Sequence, residues 1–419
     1  LGVGVTGALT VSGAVLDGAT VGVRCEAGRI AALGPEVAAR PGDETIDADG
    51  AILVPPLANG HTHAAMTLFR GSGGDLPLMP WLQQRIWPVE AKLEAEDVYW
   101  GTRLACAEMI RSGTTRFWDM YWHPGAVARA VEDAGIRAAA GAPLFDANGE
   151  VEALRESALT SLEELAADAP GVTPTLTPHS IYTVSEGSLR WVAELAAERG
   201  VPVHIHLSET ESEVEDCLAL HGVRPAFYLD RLGLLGERTV LAHAVWLDHA
   251  ELELIAARRA TVVANPAANM KLGVGRVFPY PAARGARVAT GLGTDGAGSN
   301  DTLDLLADLK LFALSQKHAA ADPAAIAAAD AWAVATGAKA PLLGATPLRV
   351  GAPADFLLLG AGAPELAIGE LTSNLVYAAA GANVDTTVVG GRVLMRGGEI
   401  EGLAEIVSRA AERARRLGL

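Results

Sequence analysis

The stretch LRWVAELAAERGVPVHIHLSE, residues 189–209, changes its periodicity midway. Over 189–200 the apolar residues recur every three to four positions and the run closes on Gly200, the pattern of an amphipathic helix with a glycine stop. From 201 the chain becomes apolar and β-branched, VPVHIHL, and then breaks at Ser208-Glu209. A helix feeding a short buried strand is one step of a parallel sheet with crossover helices. The step recurs in both directions. Downstream lie RTVLAH (238–243), ATVVAN (260–265) and RVATGLGTD (287–295); upstream lie AILVPPLANGH (51–61), TTRFWD (114–119), IRAAAG (136–141) and VTPTLTPH (172–179). Eight β/α units over roughly 290 residues suit a closed (β/α)₈ TIM barrel, an α/β fold, with a doubly wound open sheet as the alternative.

The ends read differently. Residues 1–55 hold short strands punctuated by glycine with no helices between them, as in VTGALTVSGAVLDGATVGVRCEAGRIAALG. Residues 349–419 hold GAPADFLLLG and DTTVVGGRVLMRGGEI, again β-like, and then the amphipathic AEIVSRAAERARRLGL. The expected organisation is a barrel over 56–348, flanked by the two parts of one small β-sandwich, 1–55 and 349–419, the latter ending in a helix.

Composition narrows the function classes. The 419 residues are 50% hydrophobic and 20% charged, enough apolar mass for a sizeable core, which excludes a disordered chain. Fifty acidic against 33 basic residues give a net charge of −17, a surface that repels a phosphate backbone, so nucleic acid is not an expected partner. No apolar run of about 18 residues predicts a membrane span. Cys25, Cys106 and Cys217 are isolated in sequence, which fits a reducing, cytoplasmic location rather than a disulfide framework. The opening LGVGVTGALT lacks the basic flank of a secretory signal, although the missing initiator Met leaves a trimmed leader open. Acidic barrels of this size often self-associate, so a homo-oligomer is possible.

The chemistry gathers at strand ends. His61-Thr62-His63 closes the first barrel strand; residues i and i+2 of an extended chain share a face, so both imidazoles converge at the C-terminal rim, where barrels of this kind place their active sites. A lone His-x-His equally fits a surface or core pair. His206 closes the fifth strand, with Glu209 three residues on; His204 reads as a buried, hydrogen-bonded histidine one layer deeper rather than a ligand. His243 closes the sixth strand and Asp295 the eighth. A helix N-cap would explain Asp295 alone, but metal-competent residues at the ends of four strands are jointly hard to explain that way.

This order resembles the amidohydrolase superfamily over nearly the whole chain. The segments NGHTHAAMTLFRG (59–71), LPLMPWL (76–82), TPHSIY (177–182), HLSET (206–210), NPAANMKLG (265–273) and GTDGAGSND (293–301) are similar to the deaminases of 5-methylthioadenosine and S-adenosylhomocysteine. The resemblance implies that His61, His63, His206 and Asp295 hold one divalent ion, Zn²⁺ first and Fe²⁺ second, since mixed imidazole and carboxylate ligands suit both. The fourth strand carries no Lys or Glu to bridge a second ion. A bound ion would acidify water and supply hydroxide for attack at C6 of a purine. Glu209 would protonate N1, Asp295 would take the water's proton and pass it toward ammonia, and His243 would stabilise the developing charge. The resemblance also places Glu90 on the ribose hydroxyls and His179 on the substrate, while Trp81 could wall the nucleoside or simply pack in the core. Asp119 and His123 lie near the mouth without an assigned role, and His221, His249 and His318 read as surface residues. Where the related deaminases carry an Arg after the third strand, AAAGAPLFD (138–146) has Ala142 or a neighbour, which disfavours a carboxylate-bearing substrate unless Arg137 or Arg155 substitutes.

The sequence therefore points to a metal-dependent aminohydrolase acting on the small-molecule class of 5-methylthioadenosine, 5-deoxyadenosine and adenosine, with S-adenosylhomocysteine behind them. The alternative is a related aminohydrolase or chlorohydrolase acting on a free base, pterin or s-triazine. A non-catalytic scaffold on this barrel would be expected to have lost ligands or the proton shuttle, all of which are present.

Overall fold

The computed structural model describes residues 7–72, 75–146 and 149–419. The N-terminal segment forms β1 (Leu9–Leu16), β2 (Ala19–Glu26), β3 (Arg29–Gly34), β4 (Glu44–Asp47) and β5 (Ile52–Val54). Then come the barrel strands and two short rim strands: β6 (Leu57–Thr62), β7 (Thr114–Met120), β8 (Arg137–Gly141), β9 (Pro143–Leu144), β10 (Val172–Pro174), β11 (Thr177–Pro178), β12 (Val203–Leu207), β13 (Thr239–His243), β14 (Thr261–Ala264) and β15 (Ala289–Leu292). The chain ends with β16 (Phe356–Leu359), β17 (Val384–Val389), β18 (Arg392–Met395) and the helix Leu403–Leu417.

The central sheet runs β10-β8-β7-β6-β15-β14-β13-β12, every pair parallel. It closes on itself through Leu176, one of two residues between β10 and β11, which bridges to Val203 of β12. Its amide donates to Pro202 O and its carbonyl accepts from His204 N, each at 2.9 Å. Above this seam β9 and β11 pair as the continuations of β8 and β10. The strand expected over 172–179 is thus two pieces, because Pro174 and Pro178 cannot donate to a ladder.

The barrel interior is filled in layers. At the bottom Leu343 and Ala340 pack against Val240, Val263, Ala139 and Trp118. Gly291 permits that plug, since a Cβ there would stand 2.2 Å from Leu343 Cδ1. The next layer holds His204, edge-on to Trp118 at 5.8 Å between ring centroids. Above it lies the rim. Helices cover the outside, and the largest apolar core lies between them and the strands.

The terminal segments form one eight-stranded sheet, β18-β17-β16-β5-β1-β2-β3 with β4 paired to β1. It curls until its edge returns on itself: Arg29 in β3 bridges to Pro353, just ahead of β16. Val11, Val23, Ile30, Ile46, Leu53 and Phe356 share a separate core inside the curl. Burying one face of a sheet this short requires the curl, because no helix covers that face. No helix of the described residues is long and apolar enough to cross a membrane.

Candidate metal centre

The ends of β6, β12, β13 and β15 carry their polar side chains to one point. The register of β6 against β7 slips between Asn59 and Thr62, a bulge at the rim that re-aims the side chains on either side of it. The rings of His61 and His63 stand 5.0 Å apart, and that of His206 lies 4.9 Å from His61. Asp295 Oδ1 is 3.3 Å from both His61 Nε2 and His63 Nε2. Donor atoms of His61, His63 and His206 lie within 4.8 Å of one another, as do those of His61, His243 and Asp295. Ser208, His243 and Asp295 have positive φ of 49°, 70° and 60°. Non-glycine residues adopt this left-handed backbone at a cost of order 1–3 kcal/mol, and such strain clusters at functional sites.

Each imidazole is oriented from behind. His63 Nδ1 lies 2.6 Å from Met120 O and His206 Nδ1 lies 2.7 Å from His179 O. A carbonyl only accepts, so both Nδ1 atoms carry the proton and both Nε2 lone pairs face the centre. His61 Nδ1 is 2.9 Å from His204 Nε2, which gives His204 its place: buried, behind the centre and hydrogen-bonded to it. Ser299 Oγ donates to Asp295 Oδ2 at 2.6 Å. The forward atoms, His61 Nε2 and Asp295 Oδ1, are buried without any hydrogen-bond partner. Two such atoms facing each other cost free energy unless something cationic binds both, so the donor set fits a divalent ion.

Electrostatics agree with a cation. Burial pushes the Asp295 carboxyl up, but the imidazoles of His61, His63 and His243 outweigh it and hold it below the ordinary range. Burial lowers His61 to about 3, so it is neutral and ready to ligate. His243 is the exception. Burial lowers it, yet the carboxylates of Glu209 and Asp295 raise it overall. Its Nδ1 stands 2.8 Å from Asn269 Oδ1 and 3.7 Å from Glu209 Oε1.

Over the centre lies a cleft open to solvent. His63, His206, His243 and Asp295 form its floor, with Glu209, Glu90, His179 and Trp81 on the walls. Burial raises the carboxyls of both Glu209 and Glu90. His179 is lowered to about 3 by burial and by the imidazoles below it. Trp81 is 5% exposed, so it both packs in the core and faces the cleft.

Several side chains here escaped the sequence reading. Glu213 accepts from the amides of Ser208 and Glu209 at 2.8 and 2.9 Å, fixing the loop that carries Glu209. The Thr210-x-x-Glu213 spacing, a capping-box signature, could have flagged it. Phe145 stacks between Trp122 and His179 at 5.7 and 4.6 Å, and Tyr121 closes the wall beside Glu90. Nothing in the local pattern announces Phe145, Asn269 or Ser299. Asp119 is buried, accepts from Ala64 N at 2.7 Å, and is pushed up by burial to about 7. His123, His249 and His318 are exposed, and His221 stacks on Tyr228 at 3.9 Å.

The cleft opens past Trp87, Glu90, Trp122 and Phe145 into an outer groove of about 1990 Å³. Glu150, Glu156 and Glu164 line it, and among the described residues no Lys or Arg does. Arg137 pairs with Asp355 beneath the barrel, and Arg155 pairs with Glu152 and lies over Trp191. Neither reaches the groove.

Comparison with known proteins places this geometry. The model of the Amidohydrolase family matches residues 52–394. The chain is 48% identical over 382 residues to the 5'-deoxyadenosine deaminase of Methanoregula boonei, covering 89% of this chain and 86% of that one. It is 43% identical over 383 residues to 5-methylthioadenosine/S-adenosylhomocysteine deaminase 1 of Archaeoglobus fulgidus, covering 90% of each. The crystal structure of an adenosine deaminase from Xanthomonas campestris with bound zinc superposes with a TM-score of 0.90 at 33% identity, over 98% of both chains.

Proposed function

The chain belongs to the amidohydrolase family, and from that premise we propose that this metal-dependent aminohydrolase removes the 6-amino group of adenosine-like nucleosides, releasing ammonia and the inosine analogue. One observation carries the reading: a His/Asp donor set fit for a divalent ion shares one cleft with two glutamates, Glu209 and Glu90.

His61, His63, His206 and Asp295 would hold the ion, with Zn²⁺ the first choice, the metal bound in the crystal structure of the adenosine deaminase. When bound, a divalent ion lowers the pKa of water enough to furnish hydroxide near neutral pH. Glu209, its carboxyl raised by burial, is the group on the cleft wall that delivers a proton to N1 of the purine ring, and the protonated ring accepts the nucleophile at C6. Asp295 takes the proton of the attacking water and passes it toward the leaving ammonia. His243, held by Asn269 and facing Glu209, donates to the oxygen that develops charge. Glu90 accepts the ribose hydroxyls, and His179 and Trp81 flank the base.

The outer groove supports a preference among the substrates. A homocysteine carboxylate entering it meets three glutamates and no cation, so 5-deoxyadenosine, 5-methylthioadenosine and adenosine precede S-adenosylhomocysteine. The acidic surface speaks against nucleic acid as a partner, and three buried free cysteines suit the cytoplasm. Ammonia release from the zinc-loaded protein, with ultraviolet spectra, tests the reading on these four nucleosides, guanine, isoxanthopterin and an aminotriazine. Turnover of the nucleosides, with S-adenosylhomocysteine slowest, is expected; reaction of a free base or triazine alone would overturn it.

A further inference from the structure

Tyr121 follows β7 directly and is one of the largest fully buried side chains, 2% exposed. Its ring lines the cleft, 6.3 Å from the ring of His63. The phenolic hydroxyl is buried and forms no hydrogen bond of normal geometry with any described residue. Its neighbour is the Glu90 carboxylate, which the hydroxyl of Tyr121 and the indole of Trp122 both approach. A buried hydroxyl with no partner loses its water bonds for nothing, and proteins keep few of them.

The two groups are chemically complementary. An ionised carboxylate only accepts; a phenol both donates and accepts. A vicinal diol brings two hydroxyls, each able to do both. We propose that Tyr121 and Glu90 read the sugar diol as a pair: Glu90 accepts the protons of the diol, and Tyr121 donates to one of the same hydroxyl oxygens. Tyr121 is then a specificity-determining residue for a ribo- over a deoxyribo-nucleoside. This rests on the nucleoside reading above.

Tyr121→Phe removes one oxygen whose approach to Glu90 falls short of a full hydrogen bond, so the fold is retained and the Tm of the ligand-free protein changes little. Adenosine and 2′,3′-dideoxyadenosine are compared on the zinc-loaded wild type and variant. The variant is expected to lose about 10- to 100-fold in kcat/KM on adenosine, mainly through KM, with less than about a threefold change on the dideoxy analogue. Combined with Glu90→Gln, the loss should fall well short of additive, because the two groups share one hydroxyl. Equal losses on both sugars, or an unchanged ribo preference, would overturn the pairing while the nucleoside reading stands. A wild type that releases ammonia only from free bases would overturn both.

Discussion

Glu209 owes its usefulness to its surroundings rather than to its identity. Burial raises its carboxyl, while Glu213 behind it ties down the two amides at the base of its loop. Glu209→Gln keeps the shape and removes the proton. A drop of about 10²- to 10⁴-fold in kcat is expected with zinc content unchanged by metal analysis, the range for loss of a positioned acid or base. Retained kcat would remove Glu209 from the chemistry. At this scale the sequence was legible wherever a polar residue ended an apolar strand: His61, His63, His206, His243 and Asp295 all meet at the rim. It was silent on the groups that aim them. Asn269 and Ser299 are ordinary helical polar residues until folding brings them behind His243 and Asp295. Phe145 and Tyr121 carry no metal-competent atom to draw notice. The two arginines that might have bound a carboxylate are excluded only by tertiary placement, which spacing does not encode.

Between residue and fold stands the short 3₁₀ turn Ala64–Phe69, which leaves β6 directly after His63. The helix Ala95–Arg111 crosses it at Gly101, where a Cβ would stand 2.7 Å from Ala65 O, and Gly101 O accepts from Thr67 Oγ1 at 2.7 Å. Backbone meets backbone there, so neither side can rotate away. Gly101→Ala should lower stability by about 1–3 kcal/mol, the usual cost of overpacking, and weaken zinc retention by shifting His63. Gly187→Ala is the control, an open helical position where alanine is neutral or stabilising. Chemical denaturation with chelator competition separates the two; equal behaviour would show that the crossing tolerates a methyl. All eight barrel strands were readable, because buried parallel strands are short apolar runs set off by helices. The turns at the rim were not: the bulge in β6 and the left-handed Ser208, His243 and Asp295 have no glycine to betray them.

Over the whole molecule the metal-competent residues span the ring. β6 and β15 are neighbours, and β12 lies across the barrel from them. An ion held by all three binds the closed barrel and not the unfolded chain, so zinc at a thousandfold over its Kd should add about 4 kcal/mol of stability. Scanning calorimetry of loaded and chelated protein checks this; a Tm that ignores verified metal removal would place the ion elsewhere. The terminal sheet was foreseeable as β-structure at both ends because glycine turns separate its strands. Its curl was not, since closure depends on Arg29 meeting Pro353 more than 300 positions away.

Between β10 and β12 the ring is joined at Leu176, and just above it His179 O receives both the amide and Nδ1 of His206, at 3.1 and 2.7 Å. The groups that face the substrate are therefore also the last fastening of the cylinder. A ring left open at this seam loses the carbonyl that aims His206, so barrel closure and assembly of the donor set go together.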